Sequence, residues 1–250
     1  MTDTNHYDFY DERALNKFSL ETYVIQLSNP FEPVVDKLID GHIDKIKKLN
    51  ESYVGLEKRI AKPRKQDDTD ELLVELSDVI QERTWLIDEI IALAEMKIIY
   101  AYKFLETHLK RVLRASLVVE HTKELHRWDA IKSFLKTKNI LIENLKGYKE
   151  VNQLREVNNA IKHSDEYTER LKGIPEFSAS KVFTFNALNK FYTRVKGAPS
   201  DFLHALCFAI SSELYDFDQD KLEKIAQDIA KRMDKKDAEL LIERIRENYL

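Results

Sequence analysis

Residues 71–117 read ELLVELSDVI QERTWLIDEI IALAEMKIIY AYKFLETHLK RVLRASL, and neither glycine nor proline interrupts the chain between Pro63 and Gly147. Within this stretch Leu73, Leu76, Ile80, Ile87, Ile90, Ala94, Ile98, Ala101, Leu105, Leu109 and Val112 recur at three-, four- and seven-residue intervals, the spacing of one helix face. Asp68 followed by Glu71 resembles a capping pair. The pattern predicts one helix from there to about residue 117, about 65–70 Å long at 1.5 Å per residue. A helix of that length bends or projects toward a partner, so its stripe reads as core or as the seam of a homodimer.

The flanking sequence continues in the same way. Asn29-Pro30 and Pro33 open a helix whose Val35, Leu38, Ile39, Ile46, Leu49, Tyr53, Leu56 and Ile60 share a face, and residues 62–68 form the loop after it. Further helices are expected near 122–138, over Tyr148–His163 with Val151, Leu154, Val157 and Ile161 inward, and over Phe202–Leu214 after Gly197-Ala198-Pro199. Asn139–Leu145 reads as a connector, and Gly173-Ile174-Pro175 as a boundary. Two extended pieces compete with helix: Tyr23–Leu27, and Lys181–Phe185, where alternation favours a short strand about as well as a helix through Phe191. The fold class is therefore all-α, a helical bundle with one very long helix and at most a minor short strand pair. Residues 1–30, aromatic but aperiodic, are expected to form an N-terminal arm, 31–214 the bundle, and 215–250 two charged amphipathic helices around Asp234-Lys235-Lys236-Asp237. No internal repeat or low-complexity tract is present.

Composition narrows the chemistry. With 43% hydrophobic and 34% charged residues the chain can build a core under strongly charged helix faces. One cysteine, Cys207, excludes an intramolecular disulfide, and its setting in Ala205-Leu206-Cys207-Phe208-Ala209 is that of a small buried hydrophobe. The polar, acidic start from Met1 to Tyr10 lacks the regions of a signal peptide, and no apolar run reaches the ~18–20 residues of a membrane span. These features predict a cytoplasmic protein with no membrane association. Glycines at 41, 55, 147, 173 and 197 cannot form a phosphate-cradling loop, and there is no Gly-x-Ser-x-Gly elbow. No Glu-x-x-His occurs, and His121 and His126 lie about 140° apart on a helix, so neither a di-iron nor a structural zinc site is expected. The expectation is no cofactor and no metal.

Net charge is −4 overall, but residues 67–95 hold ten acidic side chains against Arg83 alone, while 97–138 hold ten basic against four acidic. The basic belt suits phosphate contact, and it equally suits neutralisation of a neighbouring acidic helix. One polar stretch stands out beside it: Leu154-Arg155-Glu156-Val157-Asn158-Asn159-Ala160-Ile161-Lys162-His163. Arg155, Asn159 and His163 fall at i, i+4 and i+8, drifting only about 40° per step along a helix. A guanidinium there can pair with phosphodiester oxygens while the imidazole moves a proton. The competing reading is a solvent face and helix cap.

Together with Trp128-Asp129-Ala130-Ile131-Lys132-Ser133-Phe134-Leu135 and Lys146-Gly147-Tyr148, this stretch resembles the HEPN (higher eukaryotes and prokaryotes nucleotide-binding) superfamily, over about residues 70–210 and specifically over 154–163. The resemblance implies a helical homodimer whose motif helices face each other across a cleft. In active members it implies a metal-independent endoribonuclease of toxin or antiphage-defence type. His163 matches the motif histidine and Asn159 its polar residue, but Asn158 occupies the usual arginine slot. Arg155 lies outside the family spacing, leaving Arg155 or Lys162 to supply the charge. Losing one oriented cation costs on the order of 10²–10³ in rate. Two functions are therefore expected in competition. One is an RNA-binding protein, catalytic through His163, Asn159, Arg155, Asn158 and Lys162 or not, with RNA, a homodimer mate and a protein partner or antitoxin as its contacts. The alternative is a non-catalytic helical dimerisation or adaptor protein.

Overall fold

The computed structural model describes residues 9–27, 29–63, 65–116, 127–163, 169–178 and 182–248. In chain order the helices are α1 (Phe9–Thr22), α2 (Phe31–Ile60), α3 (Gln66–Ser116), α4 (Trp128–Thr137), α5 (Tyr148–Lys162), α6 (Phe185–Val195), α7 (Ala198–Tyr215), α8 (Gln219–Ala230) and α9 (Lys235–Glu247). Short 3-10 turns fall at Tyr23–Gln26, Ile142–Asn144, Glu169–Gly173 and Pro175–Phe177. No strand occurs among the described residues, so the all-α expectation holds and the minor strand pair does not. Tyr23–Gln26 winds into a 3-10 turn instead of extending. At Phe185 the Thr184 hydroxyl accepts the Ala187 N–H at 3.3 Å and starts a helix, so the N-cap decides against the alternating pattern. The N-terminal stretch read as aperiodic carries α1. The helix expected near 122–138 begins at Trp128, and its first residues lie outside the described ones. Asp68 sits inside the first turn of α3 rather than capping it.

Contacts group the chain into two interleaved units. Residues 28–109 and 146–202 make one, holding α2, most of α3, α5 and α6. Its core packs Ile98 and Ala101 of α3 with Leu154 and Val157 of α5, Leu171 and Phe177 of the 3-10 turns, and Leu188 and Phe191 of α6. Gly147 opens α5 at φ 80°, and a Cβ there would meet the Ala198 carbonyl oxygen at 3.0 Å and the Phe202 nitrogen at 3.2 Å. Both conformation and space demand glycine.

The other unit takes residues 1–27, 110–145 and 203–250. Within it α1 is tied to the end of α7 by Lys17–Asp216 at 2.7 Å and by Ser211 donating to Glu21 at 2.7 Å. Lys221 donates to the Asp216 carbonyl at 3.0 Å and to that of Glu213, satisfying groups that the last turn of α7 leaves open. Asp218 and Asp234 cap α8 and α9 through the Lys221 and Asp237 N–H groups, and neither helix contains a buried residue.

In the first unit α2 and α3 form an antiparallel hairpin. Cross-contacts run in register along it: Phe31 stacks on Tyr100 at 4.2 Å, Lys97 meets Asp36 at 2.5 Å, and His42 meets Glu89 at 2.7 Å. Further along, Arg83 donates to Asn50 at 3.2 Å, and Arg59 lies 3.6 Å from Glu75. Between Gln66 and Ile90 the residues that are not exposed are Thr69, Leu72, Leu76, Val79, Arg83, Leu86 and Ile90, a strict three-four alternation. Val35, Ile39, His42, Ile46, Leu49, Tyr53, Leu56 and Ile60 answer them on α2 with the same alternation. This is the seam of a two-stranded coiled coil.

The seam revises the expected stripe. From Ile90 to Val112 the expected residues are buried, but Leu73, Ile80 and Ile87 stand 48%, 40% and 37% exposed. A helix facing one partner buries only two positions in seven, and here those positions are one residue away from the more hydrophobic-looking set. Leu38 on α2 is exposed for the same reason.

Candidate functional site on the fifth helix

Helix α5 buries Val151, Leu154, Val157, Asn158 and Ala160, and this fixes where the five singled-out residues lie. Arg155 is half-buried, and its Nη2 donates to Glu156 Oε1 at 2.6 Å and to Asn152 Oδ1 at 3.1 Å. The guanidinium is thus engaged by a carboxylate one residue away on its own helix. Tyr102 of α3 lies within its field: burial, with help from Glu106, pushes the phenol up, and Arg155 pulls it down.

Asn158 is only 1% exposed, so the residue in the arginine slot points into the protein. Its Nδ2 donates to Asn159 Oδ1 at 3.3 Å, while its own Oδ1 is buried and has no hydrogen-bond partner among the described residues. Asn159, Lys162 and His163 are exposed. His163 terminates the helix at φ −108° and ψ 29°, its backbone N–H donating to the Asn159 carbonyl at 3.1 Å. The five residues therefore divide into three sets: an exposed trio at the last turn, an arginine neutralised by Glu156, and an inward asparagine.

Sequence reading missed the polar residues that hold α5 from the side. Arg194 of α6 donates to Gln153 Oε1 at 2.8 Å and grips both oxygens of Glu176 at 2.7 and 2.9 Å. That fork holds the Glu176 carboxyl below its ordinary value and the guanidinium above its own. Gln153, Glu176 and Arg194 sit in separate segments, and no single-helix spacing signals them.

Cys207 is fully buried, and burial pushes its thiol up to about 12, so it is held as the neutral thiol. Among the described residues no group of three or more His, Cys, Asp and Glu side chains is placed to hold a metal ion. No described helix is long and apolar enough to cross a membrane. Comparison with family models, curated proteins and solved structures finds no match to this chain.

Proposed function

We propose that this chain is a non-catalytic helical adaptor that holds a protein partner on the exposed flank of the α2–α3 hairpin. One observation carries the reading: with the seam already filled, α3 keeps a second row, Leu73, Ser77, Ile80, Thr84 and Ile87, uncharged and exposed. The Thr84 hydroxyl donates to the Ile80 carbonyl at 2.8 Å, which satisfies the row's largest polar group internally. A row of this kind on a two-stranded coiled coil is a helix-in-groove surface. The engagement of Arg155 by Glu156 and the burial of Asn158 support the non-catalytic half of the reading, since neither group is presented to a substrate phosphate.

A photoreactive benzophenone placed in the row by Ile80→p-benzoylphenylalanine should cross-link a discrete protein in the producing cell. The same group placed by Glu71→p-benzoylphenylalanine, on the opposite side of α3, should not. Equal labelling at both positions removes the adaptor reading.

A second reading draws on the exposed trio Asn159, Lys162 and His163. In it the chain is a HEPN-like homodimer that binds RNA at the end of α5 and acts there as a metal-independent endoribonuclease of toxin or defence type, restrained by an antitoxin. Incubation with tRNA or a mixed RNA pool separates the two readings. Cleavage abolished by His163→Ala establishes the second reading against the first, and RNA left intact by both proteins leaves the adaptor in place.

A further inference from the structure

We infer that the occupant of the α3 row is a basic amphipathic helix of a partner protein, about four turns long; this rests on the adaptor reading and names its partner. From Leu73 to Ile87 the row spans about 21 Å at 1.5 Å per residue, which sets the length of helix it can hold. Apolar contact supplies the docking. Electrostatics then selects among candidate helices.

Between Gln66 and Ala92, α3 exposes nine carboxylates and no cation, because Arg83, its only base there, turns into the seam. Arg83 is held there by Asn50 at 3.2 Å and lies 5.6 Å from the Tyr53 ring centroid. Of the nine, Glu75 and Glu89 are drawn to α2, by Arg59 and His42. Asp70 and Asp88 follow the row along its outer border, about 60–80° around the helix from Ile80 and Leu73. Trp85, 59% exposed, stands among the remaining acids, about 140° around the helix from Ile80.

A partner helix with leucine-type residues on one face and Lys or Arg along its borders satisfies both features. A second copy of α3 would set nine carboxylates against nine and is disfavoured, as is an RNA backbone. The acidic field therefore works as a filter on which helices use the row.

The test uses the full chain and two fluorescein-labelled 18-residue helical peptides with the same leucine pattern, one bordered by Lys and one by Glu. Binding is read by anisotropy. The Lys peptide is expected to bind at least tenfold more tightly than the Glu peptide, and to weaken as salt rises from 50 to 500 mM.

The Ile80→Asp/Ile87→Asp variant separates docking from bulk charge attraction. It adds two carboxylates and removes the apolar row, so it should bind the Lys peptide at least tenfold more weakly. Leu73→Asp/Ser77→Asp reads the same surface should the first pair lose helicity. Equal or tighter binding by these variants, or equal binding of the Glu peptide, overturns the inference. So does a wild-type dimer in light scattering that Ile80→Asp/Ile87→Asp dissolves, because a second copy would then fill the row. If the peptides fail while position 80 still cross-links a partner, the basic-helix assignment falls and the adaptor reading survives. Loss of that position-specific cross-link removes both.

Discussion

Lys97 occupies a seam position at the root of the hairpin, and removing one member of its ion pair should cost far more than removing the other. The ammonium is 6% exposed, 2.5 Å from Asp36 Oδ1 and 4.3 Å from the centroid of the Tyr192 ring. Tyr192 is itself held protonated, mainly by burial and then by Glu32 and Asp36. Asp36→Ala leaves the buried cation with the ring alone. Breaking a fully buried pair costs ~3–5 kcal/mol, and the water that reaches Asp36, 45% exposed, lowers this to roughly 2–3 kcal/mol.

Lys97→Met removes the charge together with its need for a partner and keeps a flexible apolar side chain in a coiled-coil position. Loss of the ring contact, ~0.5–2 kcal/mol, then opposes the relief of desolvation, so the net change should stay within about 1 kcal/mol of zero. In the double variant Asp36→Ala should cost no more than about 0.5 kcal/mol, as at an ordinary surface site. Urea unfolding of the four proteins measures the cycle. Lys97→Met as damaging as Asp36→Ala, or a cycle with no coupling, would show that Asp36 is not the group compensating the buried ammonium, and the account of the hairpin root would fail.

Other substitutions test other parts of the fold. Gly147→Ala combines a left-handed backbone, ~1–2 kcal/mol, with a methyl group forced against the Ala198 carbonyl, so melting should fall by several degrees; an unchanged melting temperature would refute the close approach. Asn158→Leu replaces a buried amide whose Oδ1 has no partner among the described residues and should stabilise the protein by about 1 kcal/mol or more. Destabilisation of similar size in the same melt would mean that the oxygen is satisfied. Glu176 has its folded pKa lowered by Arg194, so its stabilising contribution is complete above its ordinary value of 4.5 and is lost as pH falls through the lower folded value. Glu176→Gln should flatten acid unfolding below about pH 4.5, and identical acid limbs for the two proteins would sink that assignment.

How much of this was legible in the sequence depends on which residues fill each face. From Ile90 to Val112 the spacing gives the inward face because the helix is packed broadly there and, Lys97 apart, its buried positions are apolar. Between Gln66 and Ile90 the same spacing meets the seam at Leu76 and Ile90 but takes the neighbouring stripe at Leu73, Ile80 and Ile87. Thr69 and Arg83 occupy true seam positions, whereas Leu73, Ile80 and Ile87 lie at an outward one. Arg83 belongs inside only because Asn50 and Tyr53 of α2 receive its guanidinium, and His42 only because Glu89 receives its imidazole. Polar residues satisfied across two helices disguise a heptad that each helix shows incompletely by itself.

The motif on α5 exposes the matching limit for function. Helical spacing fixes the angle between Arg155, Asn159 and His163, but angle does not establish availability. A guanidinium whose nearest acid is the next residue in the chain, as Glu156 is, can satisfy itself before any ligand arrives. An asparagine in the arginine slot can turn inward with its neighbours Leu154 and Val157, as Asn158 does. The hairpin row inverts the case: Leu73, Ile80 and Ile87 read as core because they are apolar, and their exposure is what makes them candidates for binding. In both places a side chain's chemical type was plain from the sequence. Which groups had already been satisfied by their neighbours was not, and only a group left over from folding can hold a ligand or a partner.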